Sequence, residues 1–196
     1  MLIGKSTIFM ILALLGASLS ARAQYTFAYY QQPVYYHPYG LDEDSAPAPV
    51  ISGGSRPTVA GSRAVVRHGV AYAPAKAPEA VKRAIWAANA LRRLPYKWGG
   101  GHGSFSDSGY DCSGTVSYAL HAAGVLSVPA QSCELLSYGE RGRGRWITVY
   151  SRNGHTFAMI AGLRLDTTGY YGTEGPRWHA DGRDTWGYEA RHPIGL

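Results

Sequence analysis

Asp111-Cys112-Ser113-Gly114-Thr115-Val116-Ser117-Tyr118-Ala119-Leu120-His121-Ala122-Ala123-Gly124 reads as one helix with a reactive head. Val116, Ala119, Leu120 and Ala123 recur at spacings of three, one and three, which puts them on one apolar side, and Gly124 is a terminating residue. Cys112 falls at the helix start, where unpaired backbone N–H groups and the positive end of the helix dipole favour a thiolate over a thiol. Such a cysteine is a poised nucleophile. The second cysteine, Cys133, lies in Gln131-Ser132-Cys133-Glu134, has no comparable setting, and reads as a half-buried structural residue.

Working upstream, Gly99-Gly100-Gly101-His102-Gly103 is a Gly-rich loop, and before it comes a second helix. Pro78 suits a first helical position; Val81, Ile85, Ala88 and Leu91 form one stripe, and the helix must stop before Pro95. Downstream, apolar runs predict strands over Trp146–Tyr150, Thr156–Ala161 and Leu163–Asp166, a sheet that the two helices would cover. Beyond Thr168, Gly, Pro and charged residues dominate, and the tail reads as mostly loop.

A thiolate alone cannot run acyl transfer, because the leaving amine needs a proton and the attacking water must lose one. Of seven histidines, His37 lies in the N-terminal region, His68 before the helices, His102 in the Gly loop, His121 inside the second helix and His192 near the end. His155 and His179 remain. His155 follows Asn153-Gly154 and opens the apolar run Phe157–Ala161, which places an imidazole at a sheet edge where it can face a helix start.

The 196 residues are 45% hydrophobic, 16% charged and 12% aromatic, which excludes wholesale disorder and a multi-span membrane protein. Residues 1–23 read as a secretory signal peptide: Lys5 supplies the charge, Ile8–Leu15 the apolar core, and Ala21-Arg22-Ala23 the cleavage site. No Cys follows to accept a lipid, so no stable membrane anchor is expected after cleavage. The remaining chain is mildly basic, about +4, without the basic run that a nucleic-acid partner would call for. Residues 24–76 hold six Tyr between Tyr25 and Tyr39 and six Pro between Pro33 and Pro74, and read as a linker or tail, with one strand available over Ala64–Ala73. The folded domain is then 77–196.

Pro95-Tyr96-Lys97-Trp98-Gly99-Gly100, then Asp111-Cys112-Ser113-Gly114 heading a helix, then Gly154-His155 opening a strand, resemble the NlpC/P60 family of bacterial cell-wall cysteine peptidases over about residues 78–170. The resemblance implies an α+β, papain-like fold with the nucleophile helix packed on a small antiparallel sheet. It implies hydrolysis of amide bonds in peptidoglycan stem peptides by an exported protein of the periplasm, cell wall or medium, with no metal or cofactor. By that resemblance Cys112 is the nucleophile and His155 the base. The third polar residue falls near Asp166-Thr167, a carboxylate where the family often has a histidine; Asp166 would orient the ring, with His179 the other candidate. Tyr96 would join the Cys112 N–H as an oxyanion donor, Trp98 would form an apolar wall and Ser113 would line the pocket.

Two readings of Asp111 stand side by side, a holder of the stem peptide's free amine and an ordinary N-cap. The chain departs from the family at Gly139–Arg152, which lacks the usual Pro-Gly-Asp-Leu-like segment, and at Cys133. Two other functions fit the same residues: an acyl transferase on this scaffold, and a non-enzymatic envelope module with a Cys112–Cys133 disulfide.

Overall fold

The computed structural model describes residues 56–169 and 172–196. The signal peptide expected over residues 1–23 and the Tyr-rich stretch lie outside the described residues.

Two helices carry the apolar stripes read above: α1, Glu79–Leu91, and α2, Cys112–Ala123. Asp111 caps α2, its side chain accepting from the Gly114 N–H, and Gly124 ends the helix in the left-handed conformation at φ 80°. That backbone angle suits a residue without a Cβ, which is why the helix stops there.

Six strands form the main sheet: β4 Glu140–Arg141, β5 Ile147–Arg152, β6 His155–Ile160, β7 Leu163–Gly169, β8 Gly172–His179 and β9 Glu189–His192. Their order is β4-β9-β5-β6-β7-β8 with every pairing antiparallel. The core lies between this sheet and the helices. Ile85, Leu120, Ile160 and Leu165 are fully buried there, and each such side chain contributes on the order of 2 kcal/mol by leaving water. The architecture is α+β, with the helix that begins at Cys112 packed on an antiparallel sheet.

Two expectations need correction. The tail beyond Thr168 is not mostly loop, because β8 and β9 complete the sheet. β8 carries Gly175 and Pro176, which mask a strand in sequence but are tolerated on the edge strand it forms. The packed structure also begins before residue 77. Upstream of α1 lie β1 Thr58–Val59, β2 Val65–Arg67 and β3 Val70–Pro74, a three-stranded sheet that joins the core through Ala71 and Ala73. It is tied to α1 by Asn89, whose buried amide accepts from the Ala71 N–H at 2.8 Å and donates to the Ala71 carbonyl at 2.9 Å. One side chain thereby does what a neighbouring strand would do for that residue.

Candidate active site

The Gly loop and the start of α2 are packed backbone on backbone. A Cβ at Gly114 would stand 2.0 Å from the Gly100 carbonyl oxygen, far inside any van der Waals contact. The Asp111 N–H donates to that same carbonyl at 3.2 Å. Only glycine fits here, so the loop that carries Tyr96 and Trp98 is seated on the helix turn that carries Cys112. Tyr96 also bridges to Tyr110, and the edge strand β8 braces the segment, with Arg177 Nη1 donating to the Leu94 carbonyl at 3.2 Å.

Cys112 is a buried free thiol and Cys133 an exposed one. The expected half-burial of Cys133 is therefore corrected: it stands in a surface turn ahead of the short 3-10 helix Leu135–Ser137. The described structure carries no bond between the two sulfurs.

His155 opens β6, in hydrogen-bonding reach of Cys112. Its Nε2 lies 3.1 Å from Asp166 Oδ1, which leaves Nδ1 as the nitrogen available to Cys112. Asp166 is fully buried and fully engaged. Its Oδ1 also accepts from the Thr168 N–H at 3.1 Å, while Oδ2 accepts from Arg164 Nη1 and Arg183 Nη1, each at 2.7 Å. The pairing register of β7 with β8 shifts between Asp166 and Thr168, an irregularity of the kind that re-aims a strand's groups at a site. It brings the Thr168 N–H onto the carboxylate two residues earlier.

Electrostatics follow from this geometry. Burial pushes the His155 ring towards its neutral form, but the Asp166 carboxylate and the Cys112 sulfur outweigh it and raise its pKa to about 9. Burial would raise Asp166, but its hydrogen bonds with His155 and Arg183 bring it down to about 2. Buried charge is tolerable because every lone-pair direction of the carboxylate has a donor.

A second histidine–carboxylate pair sits beside the nucleophile. His102 Nε2 lies within 3.1 Å of both oxygens of Asp111 and 3.0 Å from Ser113 Oγ. Asp111 Oδ1 accepts from the Gly114 N–H at 2.8 Å and the Ser113 hydroxyl at 3.1 Å, and Oδ2 accepts from the Gly99 N–H at 3.1 Å. The hydrogen bond to Asp111 raises the His102 pKa against the opposing effect of burial. Burial raises that of Asp111, yet its hydrogen bonds, first among them His102, bring it below the usual carboxylate value.

The structure thus brings Cys112, His155 and Asp166 together. Tyr96 stands near them: burial first, then the Cys112 and Asp111 charges, raise the pKa of its phenol. Ser113 is buried with its hydroxyl on Asp111 and His102, and the Trp98 indole is 83% exposed. His179 is not on His155; its Nε2 is buried without a hydrogen-bond partner among the described residues.

Sequence reasoning missed four residues of this neighbourhood. Arg164 and Arg183 bracket Asp166, and Arg183 Nη1 also lies 3.2 Å from His155 Nε2. The Tyr188 ring meets the His155 ring edge-on at 6.3 Å and the Phe157 ring at 5.2 Å. His102 was assigned only to the loop. Arg164 alone had a local signal, sitting two residues before Asp166 and so on the same side of the strand.

No protein-family model matches the chain, and no curated protein matches it in sequence. The chain is similar to the P60 domain of antigen MAP1204 from M. avium subspecies paratuberculosis, at 22% identity over 58% of this chain and 94% of that one, with a TM-score of 0.46. It is similar to the peptidoglycan hydrolase RipB from Mycobacterium tuberculosis, at 25% identity over 62% of this chain and 70% of that one, with a TM-score of 0.47. It is also similar to RipD from the same organism, a non-catalytic NlpC/p60 domain protein adapted to peptidoglycan binding, at 19% identity over 59% and 98%, with a TM-score of 0.44. The solved structures to which this chain is similar are NlpC/P60 domains.

Proposed function

We propose that the chain is an exported cysteine hydrolase of the NlpC/P60 type, acting on amide bonds of peptidoglycan stem peptides. One observation carries the reading: a buried free thiol at a helix start faces a histidine whose far nitrogen is held by a fully buried carboxylate.

In this mechanism the Cys112 sulfur attacks the amide carbonyl carbon, and the carbonyl π electrons move to oxygen. The Cys112 N–H, in a first turn with no intrahelical acceptor, and the Tyr96 hydroxyl donate to that oxyanion. His155 gives its proton to the leaving amine, the carbon–nitrogen bond breaks, and a thioester remains. Water then attacks the thioester with its proton passing to His155, and the carboxylic acid and free sulfur are released. Asp166 holds the ring orientation and stabilises the imidazolium throughout. The exposed Trp98 indole would offer its apolar face to the substrate, and Ser113 supports the site through Asp111.

Purified peptidoglycan incubated with the protein, followed by mass analysis of released fragments, tests the proposal. Fragments with a new amine and a new carboxylate, absent with Cys112→Ala, are the expected result. New cross-links in place of hydrolysis would make the protein a transferase, and no change with wild-type protein would make it a non-enzymatic envelope module.

A further inference from the structure

Away from the reacting residues the molecule has a cleft of about 430 Å³, lined by Arg63, Arg143, Arg145, Trp146, Thr148 and Met159 among others, with no Asp or Glu in the lining. The three arginines come from two separate stretches of chain, Arg63 from one and Arg143 and Arg145 from the other. Among the described residues none of them forms an ion pair, whereas Arg141, Arg164 and Arg183 all do. Gathering three like charges around one cavity with no carboxylate side chain in its lining costs repulsion, which an anion held there would relieve.

The walls are built and not loose. The Ala161 N–H donates to the Trp146 carbonyl at 2.7 Å and the Ala64 N–H to the Ala161 carbonyl at 2.9 Å, while the Gly144 N–H donates to Thr148 Oγ1 at 3.1 Å. The Arg145 guanidinium lies 5.6 Å from the centre of the Trp146 ring, so one cation is pinned against an indole. A preformed pocket of guanidiniums and one aromatic face suits an oxyanion carried on a larger molecule better than a free ion.

The position relative to the site adds to this. Met159 and His155 lie four residues apart on β6 and therefore point to the same face of the sheet, about 13 Å apart at the rise of a strand. Met159 pairs with Thr148 on one side and with Arg164 on the other. An extended polymer of about four residues spans that distance.

We infer that this cleft is an anion subsite, which holds a carboxylate or phosphodiester borne by the wall polymer whose amide is presented to Cys112. The polymer's identity rests on the hydrolase reading, but the cleft's affinity for a polymeric oxyanion does not. The test uses the full chain with Cys112→Ala and calorimetric titration with two defined oligomers, trigalacturonate for the carboxylate source and a glycerol phosphate oligomer for the phosphodiester source. One of them should bind, with affinity that falls as salt rises. Arg143→Gln and Arg145→Gln should each weaken binding about tenfold, with unchanged melting temperature. In a protein that keeps Cys112, the same two substitutions should leave cleavage of a short soluble stem peptide within about twofold. Absence of binding by either oligomer, or binding that survives both substitutions, overturns the inference. Binding that appears only after Asp42, Glu43 and Asp44 are changed to their amides also overturns it, since the cleft would then belong to the chain's own acidic run. If arginine-dependent binding is found but wild-type protein cuts no peptidoglycan, the hydrolase reading fails and the anion subsite stands.

Discussion

The molecule contains the same chemical pair twice, and the two copies differ in what stands behind the imidazole. His102–Asp111 and His155–Asp166 both place a ring nitrogen about 3 Å from a carboxylate, and both carboxylates have every lone-pair direction occupied. Around Asp111 two of the donors are backbone N–H groups, one of the loop and one of the helix turn, so its charge is spent on holding two segments together. Around Asp166 two of the donors are guanidiniums, and the imidazole keeps its other nitrogen for a thiol. A His–Asp pair is therefore not a catalytic signature by itself; what the free nitrogen faces gives it a role.

The largest expected effect separates the two pairs outright. His155→Ala should lower kcat/KM by about a thousandfold or more, the scale of removing a general base, in a protein that still folds. His102→Ala should cost roughly 1 to 2 kcal/mol of stability through the unsatisfied Asp111 and leave turnover within about tenfold. If His102→Ala kills turnover in a protein that melts normally, the division of roles is wrong.

Next comes Asp166→Asn, expected to cost about a hundredfold in kcat and to move the alkaline limb of the rate profile. The His155 pKa is raised from its ordinary value near 6.5 to about 9. The pair's contribution to stability is thus complete below about pH 6.5 and is lost as pH rises through 9. Without the Asp166 charge that loss should begin nearer neutrality, which a pH series of thermal melts and of rates would both register; an unmoved limb would detach Asp166 from the ring.

Arg183→Gln sharpens the comparison at the acid end. Asp166 is held down to about 2, so its contribution is complete above the ordinary carboxylate value near 4 and is lost as pH falls through 2. Removing one guanidinium raises that pKa, and acid unfolding should start at higher pH than in the wild type. A coincident acid transition would show that Arg164 alone fixes the carboxylate.

The smallest effect belongs to Asp111→Asn. Asparagine caps helices about as well as aspartate, and a stability loss of about 1 kcal/mol is expected, with similar kinetics on free-amine and N-acylated stem peptides. A loss of tenfold or more confined to free-amine peptides, the scale of one charge-assisted contact, would give the carboxylate a share in substrate recognition after all.

What could be read in advance was local. The limits of α2 follow from an Asp at one end and a Gly at the other, and β5, β6 and β7 follow from apolar runs long enough to be buried on both faces. The carboxylate on His155 came into view through the resemblance, which puts a polar residue of the next strand near Asp166-Thr167. Arg183 had no such signal, since it reaches Asp166 from a segment 17 residues later whose own composition says loop. β8 was hidden by Gly175, which is there because its backbone lies against the Leu94–Tyr96 segment: a Cβ would come within 2.6 Å of the Leu94 carbonyl oxygen. Such a requirement comes from a partner some eighty positions away and leaves no periodicity to read. Asn89 was equally silent, a polar residue on an apolar stripe whose partner, Ala71, has no side chain capable of announcing it.

The contact between Gly100 and Gly114 has a consequence for how a substrate gets in. Loop and helix turn meet with no atom to spare, so neither can slide on the other, and the wall that carries Tyr96 travels with the sulfur as one rigid piece. Admission is then by shape against a fixed surface, and any opening motion belongs to the opposite lip, where Arg183 and Tyr188 lean over the imidazole from a connection between strands.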